Sequence, residues 1–204
     1  MAKDLPSFIA QEGATREGSI IRERNFIDAN NYETVAYLKH LDVRNEPKMV
    51  LFENVPALNG QKSAFPMFYN PWVTRQYVAD SLDMGDIKSP MQVSLEVAKL
   101  EQQQGKVEVI APEKAPVKEV VLTGEKADLR ILPMPMHQKG DAGPYHTMTC
   151  AMKGLNAEFY DITFTKNKYH DPKHMSFSAH KHHHLEAMAC EYEDKNMRAP
   201  VIVI

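Results

Sequence analysis

The pattern of apolar and polar positions divides the chain into two textures. In the first, helical and strand patterns alternate. Residues 4–25 read as a short helix and then a strand, anchored by Ile20, Ile21 and Phe26. Val35, Leu38 and Leu41 recur at helical spacing and predict a helix over residues 31–41. Residues 48–52 and 64–69 read as strands, separated by a loop that contains Pro56, Asn59 and Gly60. Pro71 predicts a helix start, running to about residue 84. The clearest helix start is Ser89-Pro90-Met91-Gln92. Ser89 can cap, Pro90 fits the first turn, and Gln92 can reach back to the cap. Val93, Val97 and Leu100 then share one face, and the helix runs out into Gln102-Gln103-Gln104-Gly105.

Beyond that point the texture becomes β-rich. Pro112 and Pro116 bracket a linker-like stretch. Residues 117–122, 129–132, 145–152, 158–165 and 174–179 read as strands. Residues 182–195 read as a helix with Leu185, Met188 and Ala189 inward, and residues 200–204 as a strand buried on both sides. The order of elements predicts an α+β fold: an N-terminal α/β subdomain over residues 1–115 and a β-rich domain over residues 116–204.

Composition narrows the functional classes. The chain has 204 residues, 43% of them hydrophobic and 25% charged, enough for a packed core. Its formal charge of -3 gives no electrostatic reason for nucleic acid or an anionic membrane as partner. No apolar run approaches the roughly 20 residues of a membrane span, and the N-terminus lacks the apolar core of a signal peptide. Two cysteines, Cys150 and Cys190, make no disulfide framework. The expectation is a reduced, cytoplasmic, globular protein.

Three stretches could carry chemistry. Four of the nine histidines lie in His180-Lys181-His182-His183-His184. Neighbours on a helix point about 100° apart, so at most one or two of them can share a metal. The cluster reads equally as a solvated helix start. Gly140-Asp141-Ala142-Gly143-Pro144-Tyr145 reads as a tight turn and matches no nucleotide-binding loop. Asn156, at the entrance to a strand, is either a turn residue or a hard oxygen ligand suited to Mg2+ or Mn2+. By spacing alone, Tyr160 and Phe164 read as core aromatics.

Taken in order, residues 119–145 resemble the UbiD family of carboxy-lyases. They carry Asp128-Leu129-Arg130-Ile131-Leu132-Pro133-Met134-Pro135, a D-L-x-x-L-P-x-P run, followed by the Gly140–Tyr145 sequence, a G-D-A-G-x-Y run. Asp4-Leu5-Pro6-Ser7-Phe8-Ile9, Leu51-Phe52-Glu53-Asn54 and Pro200-Val201 are also similar to the family. The resemblance spans essentially the whole chain. It implies reversible decarboxylation of an aromatic or α,β-unsaturated acid with prenylated FMN, Mn2+ (or Mg2+) and K+. A flavin prenyltransferase would supply the cofactor, and the cofactor domain would be a flavin-binding split β-barrel. The protein would be a homo-oligomer or work with a partner subunit.

By the same resemblance, Asn156 and Tyr160 match the family's N-x-x-x-Y-R motif, with Asn156 as a metal ligand. His180 is the second ligand and His182 its alternative. The implied cofactor contacts are Phe159, Tyr160 and Asp161, then Ser176, Phe177 and Ser178, then Lys181 and His182. Two departures stand out. Asp161 occupies the position of the motif's Arg, replacing a five-donor cation with an anion that only accepts. The family's third metal ligand and its proton-donating acid fall past Ile204, so no catalytic residue can be assigned. The chain therefore reads as the N-terminal portion of such an enzyme, inactive by itself. The alternatives are a small subunit of a multi-subunit aromatic carboxylase, or a non-catalytic flavin- or metal-binding module.

Overall fold

The computed structural model describes residues 4–103, 109–179 and 181–204. Helix α1 (Leu5–Thr15) starts at Asp4, whose carboxylate accepts from the Ser7 N–H, with Pro6 in the first turn. Strand β1 (Ile20–Glu23) follows, then α2 (Glu33–Val43), β2 (Met49–Phe52) and β3 (Met67–Tyr69). β1 pairs parallel with β2, with Ile20 opposite Met49, and β3 pairs antiparallel on the other side. All four residues of the central β2 are buried, which explains its uninterrupted apolar sequence. Phe52 anchors this core with Leu41, Val50, Val55 and Met67. Tyr37 and Tyr69 meet its ring edge-on, at centroid distances of 5.4 and 5.7 Å.

Two further helices complete the first half, α3 (Arg75–Ser81) and α4 (Pro90–Glu101). The capping box at α4 is present as the sequence predicts, with the Gln92 side chain accepting from the Ser89 N–H. The start predicted at Pro71 is wrong. Asn70 adopts a φ of 61°, which breaks the chain path there, and α3 begins instead from a Thr74 cap. The Arg16 guanidinium bonds Asp80 and Asp86 and so ties α1 to the α3 region.

The second half is built from β4 (Tyr145–Lys153), β5 (Tyr160–Asp171), β6 (His174–Phe177), α5 (His184–Glu193) and β7 (Val201–Val203). The strands form an antiparallel sheet in the order β6-β5-β4-β7, curled as half a barrel. Helix α5 covers one face, where Met152, Leu185 and Met188 form a core against Val201. The other face is apolar and open. Tyr160, Ile162, Phe164 and Ile202 are between 56% and 71% exposed. Two expectations are corrected here: Tyr160 and Phe164 are not core aromatics, and the final strand is not buried on both sides. The register gives the reason. Ala151 lies opposite both Ile162 and Ile202, so these side chains stand on the face away from α5.

Residues 117–122 and 129–132 are not strands. Pro116–Lys118 and Leu129–Ile131 are single 3-10 turns. Pro116 lacks the N–H a ladder needs. Asp128 draws the Arg130 N–H onto its own carboxylate and closes a turn. The second of these turns opens the seam of the molecule. Leu58 and Asn59 donate N–H groups to Leu132 and Arg130, and the Met136 N–H reaches Ala29. On the other side the Leu129 N–H reaches Pro172, and His146 Nε2 lies 2.6 Å from the Pro133 carbonyl oxygen. The segment therefore stitches the β1–β3 sheet to the β4–β7 sheet.

Candidate functional site

Asn156 sits exposed in the turn between β4 and β5. The Glu191 carboxylate of α5 accepts from the neighbouring Leu155 N–H at 2.9 Å. Gly154 fits closely at the base of this turn, since a Cβ there would lie 3.1 Å from Glu191 Oε2 and 3.2 Å from Met188 Cγ. Where the chain enters β5, the Asp161 side chain is mostly buried and its Oδ1 lies 3.4 Å from His184 Nδ1. Asp161, Thr163 and His182–His184 line a shallow cleft of about 280 Å3. His182 holds a left-handed φ of 71°, and its N–H donates to Glu186 of α5 at 2.9 Å. This left-handed turn carries the chain into α5 and brings His182–His184 to Asp161. Lys181 is exposed beside it, and His180 lies outside the described residues.

The other expected contacts fall elsewhere. Ser176, Phe177 and Ser178 line a cleft of about 470 Å3 with Lys166, Lys168 and the Gly-Asp turn. That turn is closed by Asp141, which accepts from the backbone N–H groups of His137 and Gln138. Phe159 and Tyr160 are each 60% exposed. Tyr160 faces a third cleft of about 380 Å3 with Tyr192 and Ile202, and the Lys153 ammonium lies 5.9 Å from its ring centroid. The structure thus brings Asp161 together with His182, and Ser176 with Ser178, but distributes the expected set over three clefts.

A backbone feature links the two polar clefts. β6 pairs with β5 only along Asn167–Asp171, so among the described residues Tyr160–Lys166 has no strand on that side. An open edge presents backbone donors and acceptors to whatever lies beside it. Lys166 and Lys168 project from one face of this strand, and no ion pair joins either to a carboxylate among the described residues. Sequence reasoning missed them. The signal was present as two lysines at i and i+2 in a strand, close in space to the Gly-Asp turn. Among the described residues, no three His, Cys, Asp or Glu side chains converge on a point where a metal could bind.

Residues 108–204 match the model of the UbiD family's 3-octaprenyl-4-hydroxybenzoate carboxy-lyase Rift-related domain. No curated protein sequence matches the chain. Among solved structures, the UbiD-class enzyme HmfF from Pelotomaculum thermopropionicum in complex with FMN aligns over 97% of this chain and 41% of its own. The identity is 22% and the TM-score 0.81. An evolved dimeric form of that enzyme in complex with prFMN aligns over 99% of this chain and 44% of its own, at 21% identity and a TM-score of 0.84. The vanillic acid decarboxylase of Sedimentibacter hydroxybenzoicus in closed form aligns over 100% of this chain and 42% of its own, at 18% identity and a TM-score of 0.87. The chain thus spans less than half the length of the structures it matches, and with them it shares the fold of an N-terminal α/β part followed by a curled antiparallel half-barrel sheet. The likeness to the UbiD family thus rests on residues 108–204, which match its Rift-related domain.

Proposed function

We propose that this chain contributes the flavin-binding part of a carboxy-lyase that reversibly decarboxylates an aromatic or α,β-unsaturated acid. The observation that carries the reading is the family match over residues 108–204, which takes in the whole β4–β7 sheet, its open β5 edge and α5. Residues 1–115 form the α/β subdomain and residues 116–204 the cofactor domain. Phe159, Tyr160, Asp161, Ser176, Phe177, Ser178, Lys181 and His182 are the cofactor contacts. The residues around this edge suit a flavin nucleotide. The strand edge offers backbone hydrogen bonds, Lys166 and Lys168 offer positive charge, and the exposed aromatics offer a flat apolar surface. Prenylated FMN, when bound, supplies an electron-accepting ring for loss of CO2 from an sp2 carbon.

Asp161 changes what the protein does around that ring. Its carboxylate cannot grip a substrate carboxylate as a guanidinium would. Of the three histidines lining this cleft, His184 is the one paired with Asp161, at 3.4 Å. We therefore assign the orientation of an acid substrate at this position to His184. Mn2+ and K+ have weaker support. Asn156 is one donor, His180 lies outside the described residues, and no ligand set converges among the rest, so no step runs through a metal here. A flavin prenyltransferase supplies the cofactor, the protein works in the cytoplasm, and it assembles as a homo-oligomer or with a partner subunit. A dimeric neighbour supports the first form of assembly.

The test is co-production with a flavin prenyltransferase, followed by mass spectrometry of the bound flavin. Retained prenylated FMN supports the reading, and a protein that retains no flavin overturns it. The Asp161–His184 pair also favours a second reading, a non-catalytic flavin-binding module. In that case Asp161→Arg, made in the intact assembly, leaves activity unchanged. A strong change in rate excludes the module.

A further inference from the structure

The largest of these clefts lies at the seam between the two sheets and adjoins the proposed cofactor edge through Tyr145, which lines both. It has a volume of about 490 Å3. Three separated stretches wall it: Phe68 and Tyr69 of β3, the Pro133–His137 segment, and Tyr145–Thr147 at the start of β4. Pro133, Met134 and Pro135 are buried, so this wall is held rigidly. The D-L-x-x-L-P-x-P and G-D-A-G-x-Y runs thus meet at this cleft, through Pro133, Pro135 and Tyr145.

The lining has a definite chemistry. No Asp, Glu, Lys or Arg faces the cleft. The His137 ring stacks on Tyr145 with centroids 4.3 Å apart and planes 25° apart, which makes a flat aromatic wall. Burial pushes the His137 and His146 imidazoles below their ordinary range, so both rings are neutral near pH 7. His146 is occupied by the Pro133 carbonyl. His137 is not: its Nδ1 is buried without a hydrogen-bond partner among the described residues. An imidazole with one unpartnered nitrogen, in a cleft without charged side chains, is the pattern of a small-molecule site with one orienting hydrogen bond.

We propose that this cleft binds a neutral, planar aromatic alcohol of one or two rings, seated against the His137–Tyr145 wall with its hydroxyl paired to the His137 imidazole. An anionic ligand is disfavoured, because nothing in the lining compensates a buried charge. The lining thus differs from that of the adjoining cofactor edge, where Lys166 and Lys168 suit a phosphorylated ligand.

The full 204-residue chain tests this by NMR titration with 2-naphthol and, in parallel, with 2-naphthoate. The expected result is saturable 2-naphthol binding, with shifts at His137, Tyr145 and Thr147, and at least tenfold weaker 2-naphthoate binding. His137→Phe keeps a ring against Tyr145 but removes the polar partner, and lowers 2-naphthol affinity about fivefold. Thr147→Trp, at the exposed rim, blocks entry. The proposal is overturned if 2-naphthol does not saturate at these residues, or if 2-naphthoate binds equally well to the unaltered chain. It is also overturned if folded Thr147→Trp protein binds 2-naphthol as tightly as the unaltered chain.

Discussion

The β1–β3 sheet buries every residue of its central strand, whereas the β4–β7 sheet leaves Ile162 and Phe164 of its longest strand mostly exposed. The two regions use the same aromatic residue in opposite ways. Phe52 is fully buried between Tyr37 and Tyr69, and Phe164 is 71% exposed on the face away from α5. Burial in the first sheet is structural. In the second, apolar surface is left open on the face away from α5, and an unpaired strand edge runs past Asp161 and the histidine turn. The difference separates a scaffold from a surface that other groups can use.

Substitutions can break that contrast. Phe52→Ala should cost about 3–5 kcal/mol in denaturant unfolding, the usual loss for a buried aromatic. Phe164→Ala should stay within about 0.5 kcal/mol of the parent. Equal losses would mean that the open face is covered in solution. Next in size is Asn167→Ala. The Asn167 amide donates to the Thr165 carbonyl and hydroxyl at 3.1 and 3.0 Å, and the Thr165 hydroxyl lies 2.8 Å from Cys150 Sγ. Emptying this buried network should cost about 1–3 kcal/mol by the same measurement, and so locate polar rigidity under the β4–β7 sheet. Ser89→Ala removes the capping box and should cost about 1 kcal/mol, with the effect confined to the first half.

The smallest effect is in pH. Burial holds the His146 imidazole below its ordinary value, although its bond to the Pro133 carbonyl opposes this. Below about pH 6.5 the unfolded chain takes up a proton that the folded chain resists. This contribution to stability is therefore complete above that pH and is lost as pH falls toward the folded value. His146→Gln can keep a donor to Pro133 without titrating. Its melting temperature should fall less steeply between pH 8 and pH 5.5, and an unchanged slope would refute the assignment.

Local signals in the sequence were legible where a single side chain decides the structure. Ser89, Pro90 and Gln92 mark α4 because the cap is made within one turn. The alternation through Phe159–Phe164 marks β5, but not which face is covered. That depends on where α5 packs, a long-range fact absent from the spacing. The apolar residues of 129–132 imitate a strand, yet Asp128 turns the chain through a local hydrogen bond. At the site, the histidine cluster was visible, but the pairing of Asp161 with His184 was not. It joins residues on different elements through the turn at His182. The Lys166–Lys168 pair was missed because a basic strand face acquires meaning only beside Ser176 and Ser178.

The most direct measurement is hydrogen–deuterium exchange of the full chain with and without FMN. The account predicts slowed exchange along Tyr160–Lys166 and Ser176–Ser178, with β1–β3 unchanged. Unchanged exchange along that edge with saturating FMN, or protection confined to β1–β3, would contradict it.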